Sequence, residues 1–149
     1  MKVGFIGCGH IARTMAETVN NTKGFELYCV AARDLDRANA FKDEFGAKKA
    51  YGSYEELVAD DNVELVYIAT PHSHHRDHMM LCIEHKKNIL CEKAFTVNEA
   101  EANEVLTAAK ENGVFVAEAI WTRYMPARKL IDDIISSGKI GRVTTITAN

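Results

Sequence analysis

The sequence predicts an α/β fold, a doubly wound parallel sheet, and three observations carry that prediction. The strand-like runs "VGFIG", "LYCVAA" and "LVYIAT" are apolar throughout rather than alternating, as strands covered on both faces require. Each run is followed by a helix-like segment, the alternation that builds a parallel sheet with right-handed crossovers. The glycine-rich turn "GCGHIA" joins the first strand directly to the first helix.

The elements follow in order. "KVGFIG" (2–7) is a compact apolar strand. "HIARTMAETVNN" (10–21) is helical, with Ile11, Met15 and Val19 spaced along one face. "ELYCVAA" (26–32) is the second strand, and "LDRANAFKDEF" (35–45) the second helix, which Gly46 can end. "SYEELVAD" (53–60) is a short helix whose Ser53 and Glu56 make a capping box. "VELVYIAT" (63–70) is a strand, a helix runs from 73 to about 86, and "NILC" is the next strand. "VNEAEANEVLTAAKENG" (97–113) is a helix closed by Gly113, and "VFVAEA" (114–119) a strand. "PARKLIDDIISSG" (126–138) is a helix, and "GRVTTITAN" begins one more strand, with Val143, Thr145 and Thr147 alternating against Thr144, Ile146 and Ala148.

Composition narrows the function classes. The 149 residues are 47% apolar and carry a net charge of −3, with Lys and Arg scattered, which gives no electrostatic reason to expect nucleic acid. No apolar run reaches the length of a membrane span, and the N-terminus lacks a signal-peptide layout. Cys8, Cys29, Cys82 and Cys91 show no C-x-x-C spacing, so reduced thiols and a cytoplasmic location are expected rather than a disulfide framework.

In a doubly wound sheet, ligands bind beyond the carboxyl ends of the strands, where strand order reverses. Those ends are Gly7–His10, Ala31–Asp34, Ala69–His72 and Cys91–Lys93. The turn Gly7, Cys8, Gly9, His10, Ile11, Ala12 matches a phosphate-binding loop. Gly7 allows the tight turn, Gly9 lets backbone approach a pyrophosphate, and Ala12 lets the helix pack on the strand. At the end of the second strand, Ala32 stands where an acid would select NAD, and Arg33 follows it. That pair leaves room for a 2′-phosphate and offers a planar cation to hold it. Arg37, one turn on, either assists or is a solvated helix-end charge. NADP is therefore expected over NAD, with NAD still accommodated.

"TPHSHHRDH" places His72, His74, His75 and His78 at a strand–helix junction. A metal site is disfavoured because no carboxylate or cysteine lies at ligand spacing. His72 and His75 are expected to face the cofactor, and His74 and His78 to be exposed helix residues.

The motifs "GCGHIA", "AARDLDRA", "YGSYEELVAD", "VYIATPHSHH", "LCEKAFTVN" and "EAIWTRYMPA" occur in the order seen in the glucose–fructose oxidoreductase/inositol dehydrogenase/MocA family. The chain most resembles that family's dimeric dihydrodiol and D-xylose dehydrogenase branch, over essentially its whole length. The resemblance implies an NADP-linked oxidoreductase of a sugar, polyol or dihydrodiol, working as a homo-oligomer, with a Rossmann domain over 1–122. Residues 123–149 would open a C-terminal substrate and dimerisation domain that is incomplete here, leaving this chain alone inactive. The family's Glu-Lys-Pro motif falls on Glu92, Lys93 and Ala94, which assigns Lys93 as the catalytic residue beside nicotinamide and substrate. Glu92 would orient Lys93 or bind the nicotinamide ribose. The strand-end segment Ala69, Thr70, Pro71 and His75 would line the cofactor. Trp121 and Arg123 would lie near the nicotinamide end or the domain junction, Trp121 serving equally well as an aromatic anchor. Ala94 replaces the family proline, so any unusual peptide geometry there must be adopted without it or relaxed. Two other readings stay open: a non-catalytic regulator that senses dinucleotide, and an assembly fragment that pairs with a second chain.

Overall fold

A computed structural model describes residues 1–147. It contains one six-stranded sheet in which every pairing is parallel. The strands are β1 (Lys2–Ile6), β2 (Glu26–Ala31), β3 (Lys49–Tyr51), β4 (Leu65–Ile68), β5 (Asn88–Cys91) and β6 (Val116–Glu118), and their spatial order is 3-2-1-4-5-6. The order reverses between β1 and β4, so a crevice opens at their carboxyl ends. The helices are α1 (His10–Asn20), α2 (Leu35–Phe45), α3 (Tyr54–Ala59), α4 (His75–Glu84), α5 (Glu99–Asn112) and α6 (Pro126–Ser136).

Two cores form, one on each face of the sheet. Val3, Phe5, Val30 and Tyr67 point toward α1 and α2, where they meet Ala12, Ala16, Ala38 and Phe41. Ile6, Cys29, Val66, Ile68, Ile89 and Cys91 point the other way, onto α3, α4 and α5. This double burial is why the strands read as unbroken apolar runs. Helix α1 packs through Ala12, Ala16 and Val19, whereas Ile11 is exposed, which corrects the expected Ile11–Met15–Val19 face. Small side chains face the sheet there because the helix starts immediately off the strand and must lie close to it.

Most elements fall where the sequence places them, with ends trimmed. Ser53 does cap α3, and its capping box with Glu56 is formed on both sides. Three differences have physical reasons. Strand β3 was not expected: it is three residues long and leads with a polar lysine, so it has no apolar run. The expected helix from 73 opens as a single tight turn, His72–His74, before α4 starts at His75. The expected last strand does not form over 141–147, because a lone strand has no ladder partner; Ala148 and Asn149 lie outside the described residues.

The chain divides into two compact units, Met1–Ala119 and Ile120–Asn149. The boundary expected at residue 122 falls inside the short turn Trp121–Tyr124 that opens the second unit. In that unit, α6 is amphipathic and exposes Leu130, Ile131 and Ile135. No helix among the described residues is long and apolar enough to cross a membrane.

Candidate cofactor and catalytic site

The turn after β1 is shaped by what glycine lacks. Gly7 has φ +102°, and a Cβ there would sit 2.9 Å from the carbonyl oxygen of Ala69 on the neighbouring strand end. Its N–H donates to Ala31 O at 3.0 Å, tying the turn to β2. A Cβ on Gly9 would meet nothing closer than 3.9 Å, so this backbone is open to a ligand. Gly9 is also the residue that starts α1, and it has no side chain to cap the helix. Helices α2, α3 and α5 are capped by Asp34, Ser53 and Asn98. The first-turn N–H groups of α1 are thus left for an anion. Cys8 does not oppose one, because burial pushes its thiol up to about 11 and keeps it neutral.

A cleft of ≈ 380 Å³ lies at this edge of the sheet, walled by Gly7, Cys8 and Gly9, by Ala32, Arg33, Asp34 and Arg37, and by Ala69, Thr70 and Pro71. Three separated sequence segments predicted to bind cofactor therefore meet in one place. His10 and Ile11 are exposed on the first turn of α1, and Ala12 is buried beneath it; none of the three lines the cleft. Ala32 is buried while Arg33 and Arg37 are exposed. The adjacent acid, Asp34, accepts the Asp36 N–H at 3.0 Å and is engaged in starting α2. The cleft has one further wall, Tyr54, which sequence reasoning did not single out. Tyr54 stands just past the carboxyl end of β3, so missing that strand meant missing a rim position. A smaller apolar cleft of ≈ 210 Å³, between α1 and the faces of β1, β4 and β5, lies away from the carboxyl ends of the strands.

The histidines divide differently from expectation. His72 is exposed on the rim. His75 is fully buried and does not turn its ring to the cleft: Nδ1 lies 2.8 Å from Ala94 O, and Nε2 lies 2.8 Å from Thr70 O. A carbonyl only accepts, so whichever ring nitrogen carries a proton has a partner. The expected outward-facing His75 is corrected to a bridge between two strand-end loops. His78 is half-buried rather than exposed, with Nδ1 2.9 Å from the Thr70 hydroxyl and its ring edge-on to Tyr54. Burial pushes His78 down to about 4, which keeps it neutral at physiological pH. No group of metal-ligating side chains assembles among the described residues.

Strand β5 delivers Glu92 and Lys93. Glu92 is buried; one carboxylate oxygen accepts the Tyr67 hydroxyl at 2.6 Å, and the other accepts the Lys93 N–H at 3.2 Å. Burial first, and the neighbouring carboxylate second, push the Tyr67 hydroxyl far up, so it remains a donor. Lys93 is exposed beyond the strand end, and the Lys93–Ala94 peptide is cis, so alanine adopts that geometry without the proline. Glu92 and Lys93 do not line the ≈ 380 Å³ cleft; they stand farther along the same rim, past β4. Trp121 and Arg123 belong to the second unit, where both are exposed on the turn Trp121–Tyr124.

This arrangement fits a dinucleotide. It offers an uncapped helix start for phosphates, two guanidinium groups at one end and an exposed ammonium at the other. A family model described as an oxidoreductase family with an NAD-binding Rossmann fold matches residues 1–120. Trans-1,2-dihydrobenzene-1,2-diol dehydrogenase of Mus musculus is 42% identical over 143 residues, covering 95% of this chain and 43% of that protein. D-xylose 1-dehydrogenase (NADP(+)) of Hypocrea jecorina is 55% identical over 95 residues, 64% of this chain and 24% of that one. Among solved structures, a variant of a 3-ketoreductase from Actinomadura kijaniata, in complex with TDP-benzene and NADP, superposes with a TM-score of 0.91 at 26% identity. That match covers 96% of this chain and 46% of the other. The chain spans less than half the length of these relatives.

Proposed function

The chain belongs to the Gfo/Idh/MocA oxidoreductase family, and from that premise we propose that it is the cofactor-binding part of an NADP-dependent dehydrogenase. Its substrate is a sugar, polyol or dihydrodiol carbinol. The observation that carries the cofactor choice is the end of β2. A buried alanine occupies the acid position, Arg33 and Arg37 flank the cleft, and the nearest carboxylate is occupied in capping α2. A planar guanidinium holds a 2′-phosphate through paired charge-assisted hydrogen bonds, which a ribose hydroxyl cannot replace. The NADP(+) in the name of the xylose-oxidising relative agrees with this choice.

The bound nicotinamide supplies the two-electron hydride acceptor or donor. The chain's own residues handle position and proton. The α1 start and the Gly7–Gly9 backbone hold the pyrophosphate. Lys93 would bind the carbinol oxygen and polarise or relay its proton. Glu92, fixed by Tyr67, orients Lys93 through the backbone. The resemblance alone assigns Trp121 and Arg123 to the nicotinamide end, and homo-oligomerisation to the whole protein. Four free thiols, three of them buried, suit a cytoplasmic protein.

Two measurements on the full-length protein test this reading. Titration should give NADPH at least about tenfold tighter binding than NADH, the effect of a lost charged hydrogen bond; equal affinities refute the NADP assignment. NADP-linked oxidation of D-xylose or trans-1,2-dihydrobenzene-1,2-diol should be detectable, and Lys93→Met should lower turnover by about a hundredfold or more with NADPH binding retained. Retained turnover removes Lys93 from the mechanism, and dinucleotide binding without any dehydrogenase activity favours the sensing regulator.

A further inference from the structure

The segment that carries Lys93 has left the sheet, and its backbone is held by side chains instead of a ladder. Glu92 N–H still reaches Ile68 O at 3.0 Å. After that, Ala94 O lies 2.8 Å from His75 Nδ1, and Phe95 N–H donates to Glu118 Oε1 at 3.0 Å. Glu118 is the last residue of β6 and pairs in register with Cys91, one residue before Glu92. Its backbone is fixed there by the Ala119 N–H to Cys91 O bond at 2.7 Å. The half-buried carboxylate thus reaches past the end of β5 to meet the loop on its return.

We propose that Glu118 is a positioning residue for Lys93: it closes a clamp on the 93–95 segment whose other jaw is His75. The proposal rests on Lys93 handling the substrate proton. His75 also touches a second loop, because its other nitrogen lies 2.8 Å from Thr70 O in the wall of the cofactor cleft, and the ring N–H donates to one of these two carbonyls. One buried imidazole is therefore wedged between the cofactor loop and the Lys93 loop, and Glu118 stops the far end of the Lys93 loop from swinging about that pivot. Proton transfer needs Lys93 Nζ held at one distance from the reacting oxygen, and a displacement of about 1 Å costs about a hundredfold in rate. Glu118 is not expected to touch cofactor or substrate.

The test uses the full-length protein and the NADP-linked oxidation of D-xylose or trans-1,2-dihydrobenzene-1,2-diol. Glu118→Ala leaves the Phe95 N–H without its acceptor, and kcat should fall between about tenfold and a hundredfold while the Kd for NADPH changes by less than about twofold. Glu118→Gln keeps an acceptor oxygen at the same reach and should restore most of the turnover. Hydrogen exchange should accelerate at 93–96 in Glu118→Ala and remain unchanged at 7–12. Should Glu118→Ala not accumulate as folded protein, Glu118→Asp withdraws the same acceptor by one methylene and should show the same split. A parallel loss of Tm, NADPH affinity and kcat marks a purely structural residue and overturns the proposal, as does wild-type turnover in both variants. Lys93→Met separates the two levels. If it is inactive while Glu118→Ala is fully active, only the clamp fails; if it is active, the reading of Lys93 fails first.

Discussion

Tyr67→Phe isolates the buried bond that holds Glu92. Tyr67 has no exposed surface, sits in the middle of β4, and packs its ring against Phe5 with centroids 4.9 Å apart. Phenylalanine keeps that ring and its contacts, so the substitution removes one oxygen and little packing. What is lost is the 2.6 Å bond to the carboxylate of Glu92, a residue only 8% exposed. A hydrogen bond to a charged group contributes about 1.5–3 kcal/mol, and a buried acceptor left short of a partner loses that in full. Water can approach the small exposed part of Glu92, which favours the lower half of the range, about 2 kcal/mol. For a chain of this size that corresponds to a Tm lower by about 4–8 °C.

The assay is thermal and urea denaturation of the protein and of Tyr67→Phe, Glu92→Leu and the double variant. The cycle should return a coupling of about 1.5–2.5 kcal/mol, because the two groups are in direct contact. In the full-length protein, Tyr67→Phe should also lower kcat more than NADPH affinity, since Glu92 holds the Lys93 N–H and does not line the cleft. A coupling below about 0.5 kcal/mol would refute the reasoning, because it would mean that water replaces the phenol at no cost.

Two further outcomes follow from the cofactor cleft. Arg33→Ala should raise the Kd for NADPH by about 10- to 100-fold and leave that for NADH within about twofold, measured by nucleotide fluorescence; an unchanged preference sinks the 2′-phosphate assignment. Gly7→Ala should destabilise the protein by about 1–3 kcal/mol in a urea titration, because φ +102° is strained for any L side chain. It should also weaken both dinucleotides, since the added Cβ meets Ala69 O at 2.9 Å and must displace the turn; undiminished binding of either nucleotide would contradict the placement of the phosphates.

The two ends of the candidate site were not equally legible in the sequence, and the reason is chemical. Phosphate binding depends on what is missing: a Cβ at Gly7, a cap at Gly9, an acid at Ala32. Each absence lies within three residues of a strand end, so "GCGHIA" and "AARD" can be read directly. Holding an ammonium in place depends on buried polar groups that are themselves satisfied. Among the described residues, no buried side-chain polar atom lacks a partner. Those partners are far apart in sequence: Tyr67 is 25 residues from Glu92, His75 is 19 from Ala94, and Glu118 is 23 from Phe95. Periodicity places Tyr67 in an apolar strand and Glu118 at a strand end, but it cannot say that either oxygen meets a particular loop. It likewise cannot tell which way an imidazole turns at a strand–helix junction, which is why His75 reads as a cofactor contact and is instead a bridge. The missing β3 cost Tyr54 for a related reason, since three residues led by a lysine make no hydrophobic pattern. It follows that substitutions in the legible half should act mainly on cofactor affinity and choice, and substitutions at Tyr67, His75 and Glu118 mainly on the rate of the step proposed for Lys93. A variant of Glu118 that altered the NADPH-to-NADH preference without touching kcat would break that division.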